Sequence, residues 1–176
     1  MTEPVRVALV GCGFFARNHL FSWKDLAAEG AELVAVCDID PRKAEAAAKE
    51  FGVPHWHADY DAMLAAEQID LLDIVTRMDT HRALVEKAVG RGIATIVQKP
   101  FAPGWDDAVA MTRAAERAGV FLAVHENFRF QTPMMKVADV LNRGDIGTPS
   151  WARISFRTGY DLYRTQPYFY DEERFI

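Results

Sequence analysis

Residues 5–16 read Val-Arg-Val-Ala-Leu-Val-Gly-Cys-Gly-Phe-Phe-Ala. Val5–Val10 is a short, apolar, largely β-branched run of the kind that forms a buried strand. The next six residues, Gly11, Cys12, Gly13, Phe14, Phe15 and Ala16, have the form G-x-G-x-x-A and open a stretch that reads as helix from Phe14 to about Glu29. In a strand–loop–helix unit the first glycine permits a tight turn. The second lets backbone approach a pyrophosphate, and a small third residue lets the helix pack close to the strand. The phosphates would then sit over unpaired N–H groups at a helix N-terminus, where the helix dipole is positive.

Working outward, Glu32–Cys37 reads as a second strand closed by Asp38. A carboxylate at that place can accept both ribose hydroxyls of an adenosine and repels a 2′-phosphate, so NAD is expected ahead of NADP. Arg42 keeps NADP open, because its guanidinium could reach a 2′-phosphate. Pro41–Phe51 is a helix with Asp40 as cap and Gly52 as stop. A weak strand follows around Val53–His57, then a short helix through Glu67 capped by Asp59 or Asp61. Leu71–Thr76, Ala94–Gln98 and Phe121–His125 read as further strands, separated by helices over Thr80–Gly90 and Trp105–Ala118. Short apolar strands alternating with longer helices predict an α/β fold: a doubly wound parallel sheet with helices on both faces. After Asn127 the rhythm changes: Gln131–Arg143 reads as one more helix, Ser150–Thr158 alternates like a half-exposed strand, and Tyr160–Ile176 has no clear period.

Composition sets outer bounds. The 176 residues are 50% hydrophobic and 26% charged, ordinary for a globular chain. A net charge of -5 and a pI near 5.5 argue against a surface built for nucleic acid, though not against one phosphate pocket. Cys12 and Cys37, the two cysteines, match no zinc or redox spacing and are expected to be reduced. His55 and His57 flank Trp56 without forming a metal constellation, and no H-E-x-x-H or G-x-S-x-G occurs. No signal peptide or membrane span is apparent, which leads to an expectation of a cytoplasmic protein without membrane partners.

Three further segments lie at strand ends. Thr76 and Arg77 follow the fourth strand beside the glycine loop and are expected to line a ligand. Asp79 or Thr80 is expected to cap the next helix, with His81 in its first turn as a neutral, packed or hydrogen-bonding imidazole. Gln98-Lys99-Pro100 ends the fifth strand, where a cis peptide is possible and a lysine could donate to a substrate hydroxyl or carbonyl. In the segment 125–130, His-Glu-Asn-Phe-Arg-Phe, Asn127 and Arg129 could meet a polar substrate or the nicotinamide end.

Taken together, VRVALVGCGFFARNH, VAVCDIDPRKAEAAA, DIVTRMDTHRALVEKAV, QKP and HENFRF resemble the Gfo/Idh/MocA oxidoreductases over about Val5 to Arg157. The resemblance implies a Rossmann domain binding NAD(P), here residues 1–126, followed by a substrate domain with an open antiparallel sheet. Residues 127–176 would hold only the incomplete start of that α+β domain. The activity implied is hydride transfer between nicotinamide and a sugar, polyol or related ketone. Lys99 takes the place of the family's catalytic lysine. Gly11, Gly13, Phe14, Phe15, Ala16, Asp38, Arg42, Thr76, Arg77, His81, Gln98, Lys99 and Asn127 are the candidate cofactor contacts. Gln98 departs from the family's usual glutamate: it keeps hydrogen-bonding capacity and lacks the negative charge. The family's catalytic histidine is expected after Ile176, so a cofactor-holding portion of a dehydrogenase and a non-catalytic NAD(P)-binding or regulatory module are both open. A homo-oligomer formed through the second domain's sheet is expected of a full-length form. For the chain as it stands, the strand bearing Trp151, Phe156 and Tyr160 is expected to be disordered, to pair with another copy, or to belong to a longer chain.

Overall fold

In the computed structural model, residues 3–155 and 157 are described. Six strands form one parallel sheet: β1 (Val5–Val10), β2 (Ala31–Cys37), β3 (His55–His57), β4 (Leu71–Ile74), β5 (Ala94–Gln98) and β6 (Leu122–His125). Their spatial order is β3-β2-β1-β4-β5-β6. The chain winds outward from β1 to β3, returns, and winds the other way through β4 to β6. The loops after β1 and β4 therefore diverge at the carboxyl edge, which is where α/β sheets open a crevice for ligands.

Alternation along the strands distributes the core to both faces. Ala8, Val10, Leu72, Ile74 and Val97 pack with Met63 and Leu64 of α3 (Tyr60–Ala66), Val85, Ala88 and Val89 of α4 (Met78–Val89), and Met111 and Ala115 of α5 (Trp105–Ala118). On the other face Leu9 and Val36 pack with Ala16 and Leu20 of α1 (Ala16–Asp25) and with Ala47, Ala48 and Phe51 of α2 (Pro41–Phe51). In α2 the buried set is Ala44, Ala47, Ala48 and Phe51, one helical stripe at the spacing expected of an amphipathic helix. Asp40 accepts from the Arg42 N–H at 3.1 Å, and Gly52 ends the helix with φ +70°. Asp59 caps α3 by accepting from the Ala62 N–H at 2.7 Å.

Among the boundaries that differ from the sequence expectation, three belong to the helices that follow the glycine loop and the loop after β4. α1 begins at Ala16 because 13–15 form a tight turn, with the Ala16 N–H on the Gly13 carbonyl at 3.1 Å. A separate 3₁₀ turn, Leu26–Glu29, completes the stretch read as one helix. α4 begins at Met78 with Arg77 as its cap residue, so neither Asp79 nor Thr80 caps it; the Thr80 hydroxyl instead donates to the Arg77 carbonyl at 2.7 Å. Both residues lie already inside the first turn, where their short side chains reach back rather than forward.

By internal contacts the chain divides into residues 1–125 and 126–176. In the second unit a 3₁₀ turn (Asn127–Phe130) precedes α6 (Thr132–Arg143), which has no buried residue. The strand expected over Ser150–Thr158 does not form over 150–155: alternation prepares two faces, but a strand needs a neighbouring backbone to complete its hydrogen bonds. Phe156 and Thr158, and the expectations for Tyr160–Ile176, lie outside the described residues. No helix among the described residues is long and apolar enough to cross a membrane.

Candidate nucleotide-binding and catalytic site

Gly11 leaves β1 with φ +94°, a conformation that suits a residue without Cβ. A Cβ there would stand 2.6 Å from the Val75 carbonyl oxygen and 2.9 Å from the Thr76 methyl, so this glycine lets the first loop press against the loop after β4. Gly13 differs: a Cβ there meets nothing within 4 Å, which leaves its backbone bare at the front of α1. No side chain caps α1 at Phe15, so the N–H groups of its first turn have no side-chain acceptor. Ala16 is buried between helix and sheet, the close approach that its size predicts. A bare backbone approach, an uncapped helix start and a small packing residue together fit a pyrophosphate. Phe14 is exposed beside them.

Asp38 is pinned at the end of β2 by two backbone donors. The Cys12 N–H reaches one carboxylate oxygen at 2.8 Å, and the Asp40 N–H reaches the other at 2.9 Å. The carboxylate is thereby held over the glycine loop, with lone pairs left for further donors. Arg42 is drawn away from that place: its Nε and an Nη lie 3.1 and 3.0 Å from the two oxygens of Asp40. Burial, followed by the Asp38 charge, pushes the Cys12 thiol up to about 12; the same causes push Cys37 up to about 11. Both remain free thiols, with the Cys12 sulfur against the Cys37 carbonyl.

At the loop after β4, the Thr76 hydroxyl lies 2.8 Å from that of Thr80, which accepts from it because its own proton is on the Arg77 carbonyl, and the Arg77 guanidinium turns to Asp79 at 3.1 and 3.0 Å. His81 is buried, with its ring nitrogens 3.0 Å from the Phe101 carbonyl and 3.1 Å from the Thr76 carbonyl. It lies between the loops after β4 and β5, and as a neutral imidazole it can donate to only one of these two carbonyls. Lys99 follows β5, joined to Pro100 by a cis peptide. Its Nζ stands 5.9 Å from the centre of the Phe15 ring, which places the amine over the glycine loop. Asn127 belongs to the second unit, where it opens the 3₁₀ turn Asn127–Phe130.

Gln98 does not face the crevice. It is 6% exposed, its Oε1 accepts the Lys99 N–H at 2.7 Å, and its Nε2 meets His19 Nε2 at 2.9 Å. His19 Nδ1 in turn lies 2.8 Å from Asp73 Oδ2, an oxygen that also accepts the Trp23 indole N–H at 2.7 Å. His19 is 5% and Asp73 1% exposed. Sequence reasoning missed His19, Trp23 and Asp73. The available signals were an Asp inside the apolar run Leu-Leu-Asp-Ile, and His19 on the buried stripe of α1 with Ala16 and Leu20.

Residues 5–126 match the profile of an oxidoreductase family described by its NAD-binding Rossmann fold. The chain is 52% identical over 169 residues to D-apiose dehydrogenase of Paraburkholderia graminis, covering 96% of this chain and 44% of that protein. It is 47% identical to D-apiose dehydrogenase of Rhizobium rhizogenes over its whole length, covering 50% of that protein. A crystal structure of an oxidoreductase from Agrobacterium radiobacter in complex with NAD+, L-tartaric acid and magnesium superposes with a TM-score of 0.89 at 46% identity, covering 95% of this chain and 48% of that one. The chain thus spans about half the length of the curated relatives it matches.

Proposed function

This chain belongs to the Gfo/Idh/MocA oxidoreductase family, and on that premise we propose that it holds the cofactor of an NAD-dependent dehydrogenase acting on a sugar or polyol. D-apiose, the substrate named for two close relatives, is the first candidate. Residues 1–126 serve as the cofactor domain and 127–176 as the start of the substrate domain. The observation that carries the reading is the cradle itself: a bare Gly13 backbone at the uncapped start of α1, with Asp38 fixed over the same loop.

The N–H groups at the start of α1 receive the pyrophosphate, and Asp38 accepts from the adenosine ribose hydroxyls. With Arg42 held by Asp40, little remains to attract a 2′-phosphate, which favours NAD over NADP. Bound nicotinamide supplies the acceptor or donor of hydride at its C4. Lys99 donates a hydrogen bond from Nζ to the substrate oxygen, lowering the cost of charge that develops there during transfer. Gln98 is occupied inside the fold, so its lack of charge leaves the crevice itself unaltered.

The test is turnover by the full-length protein. NAD+ with D-apiose is expected to yield NADH, and Lys99→Ala is expected to lower kcat by about 100-fold or more. Full activity in the Lys99→Ala variant, or no turnover across a panel of sugars and inositols despite cofactor binding, would contradict the proposal; the second outcome would favour a binding module.

A further inference from the structure

The buried polar chain behind Lys99 has a direction that follows from its donors and acceptors. The Lys99 N–H is a donor only, so the Gln98 atom 2.7 Å away must be its carbonyl oxygen. The other end of that amide is then an NH₂ group, and it faces His19 Nε2 at 2.9 Å. His19 Nε2 must accept, which leaves the ring proton on Nδ1, pointing at Asp73 Oδ2 2.8 Å away. The Trp23 indole, also a donor only, completes the arrangement on the same oxygen at 2.7 Å. One backbone N–H thus fixes the amide orientation, the histidine tautomer and the direction of every bond. The ring plane of His19 is held between Phe15, edge-on at 5.7 Å, and His125, tilted at 4.4 Å between centroids.

We propose that Gln98, His19 and Asp73 are positioning residues for Lys99: Lys99 N–H to Gln98, Gln98 to His19, His19 to Asp73, a one-way chain joining the lysine to the helix that opens the nucleotide loop. It ties the end of β5 to α1 and to β4. The lysine and the pyrophosphate cradle are then set by the same buried bonds. The chain needs a group at 98 that accepts from Lys99. An amide at 98 also donates to His19. A carboxylate can only accept, so Gln98→Glu keeps the bond to His19 only by taking up a proton, either on His19 Nε2, flanked then by two carboxylates, or on the new carboxyl itself. Gln98 therefore selects a singly protonated, Nδ1–H imidazole. The role assigned to Lys99 rests on the dehydrogenase reading above; the hydrogen-bond chain does not.

The experiment is NMR on the 15N- and 13C-labelled 176-residue chain without any cofactor, so its outcome is independent of the proposed activity. In the wild type, His19 Nε2 is expected to show the shift of a bare, pyridine-type nitrogen and Nδ1 that of a protonated one. The Lys99 ε-methylene is expected upfield of an ordinary lysine, owing to the Phe15 ring. In Gln98→Glu, either both His19 nitrogens should show protonated-type shifts or the side-chain carboxyl 13C at 98 should show the shift of a neutral acid, while the Lys99 ε-methylene keeps its upfield position. In Gln98→Leu, Lys99 amide exchange should rise about tenfold and the upfield shift should be lost. A wild-type proton on Nε2, or a Gln98→Leu variant that leaves Lys99 exchange and shift unchanged, would overturn the proposal. If Gln98→Leu does not fold, the wild-type tautomer and Gln98→Glu decide: unchanged His19 shifts together with an ionised carboxyl 13C shift at 98 would overturn it.

Discussion

Gly11 and Gly13 stand two residues apart in one motif and do different things. At Gly11 the positive φ and the Val75 carbonyl leave no room for a Cβ, whereas at Gly13 the space is open. Gly11→Ala should therefore lower stability by about 2 kcal/mol, from left-handed backbone strain plus displacement of the loop after β4. Gly13→Ala should leave the denaturation midpoint nearly unchanged and weaken NAD+ binding by about tenfold or more, because the added methyl occupies the backbone approach. Urea melts and cofactor titrations on the two variants check both statements; equal effects on stability would contradict the division of roles. Cys12 contributes its N–H to Asp38, while its thiol, pushed up to about 12, stays protonated at neutral pH. It should react slowly with thiol reagents.

At the scale of elements, long-range polar pairs tie strands and helices that local pattern only sets side by side. Asp73 of β4 receives His19 and Trp23 from α1, with all the charge buried. Asp73→Leu removes the acceptor and leaves the buried His19 N–H and the half-buried Trp23 N–H unpaired, which should cost about 3 kcal/mol in global stability. A chemical denaturation midpoint within error of the wild type would refute this. At the opposite edge of the sheet, Arg6 at the start of β1 grips Asp70 just before β4 with Nε at 2.9 Å and an Nη at 2.8 Å, and also contacts Gln68. These hydrogen bonds from the guanidinium, and then that from the Arg6 N–H, hold the Asp70 carboxyl down to about 2. A carboxyl lowered on folding stabilises above its ordinary value and loses that contribution as pH falls toward the folded value. The difference in urea midpoint between wild type and Asp70→Asn should therefore be full above pH of about 4 and close as pH approaches about 2. The pair is exposed, so the gap should be small and should shrink in high salt.

At the scale of the whole molecule, the parallel sheet and the turn of the glycine loop were legible because their causes are local. Val5–Val10 is β-branched, Gly11 and Gly13 are the residues that a tight turn and a close approach require, and Asp40 and Gly52 mark the ends of α2 within a few residues of their partners. The chain from Lys99 to Asp73 was not legible, because its bonds join residues 79 and 54 positions apart and only the sheet order brings them together. For the same reason the burial of the Gln98 and His81 side chains does not show in the sequence. Over residues 150–155 of the strand anticipated at Ser150–Thr158, alternation reaches its limit as a signal, since pairing depends on a neighbour that a period of two does not specify. The proposed cofactor choice rests on Asp38, Arg42 and the glycine loop acting together, and one titration addresses all three. Calorimetric titration of this chain with NAD+ and with NADP+ at equal ionic strength should show NAD+ bound at least about tenfold more tightly, with Asp38→Ala abolishing that preference. Equal affinity for the two cofactors, or no binding of either at millimolar concentration, would contradict the account.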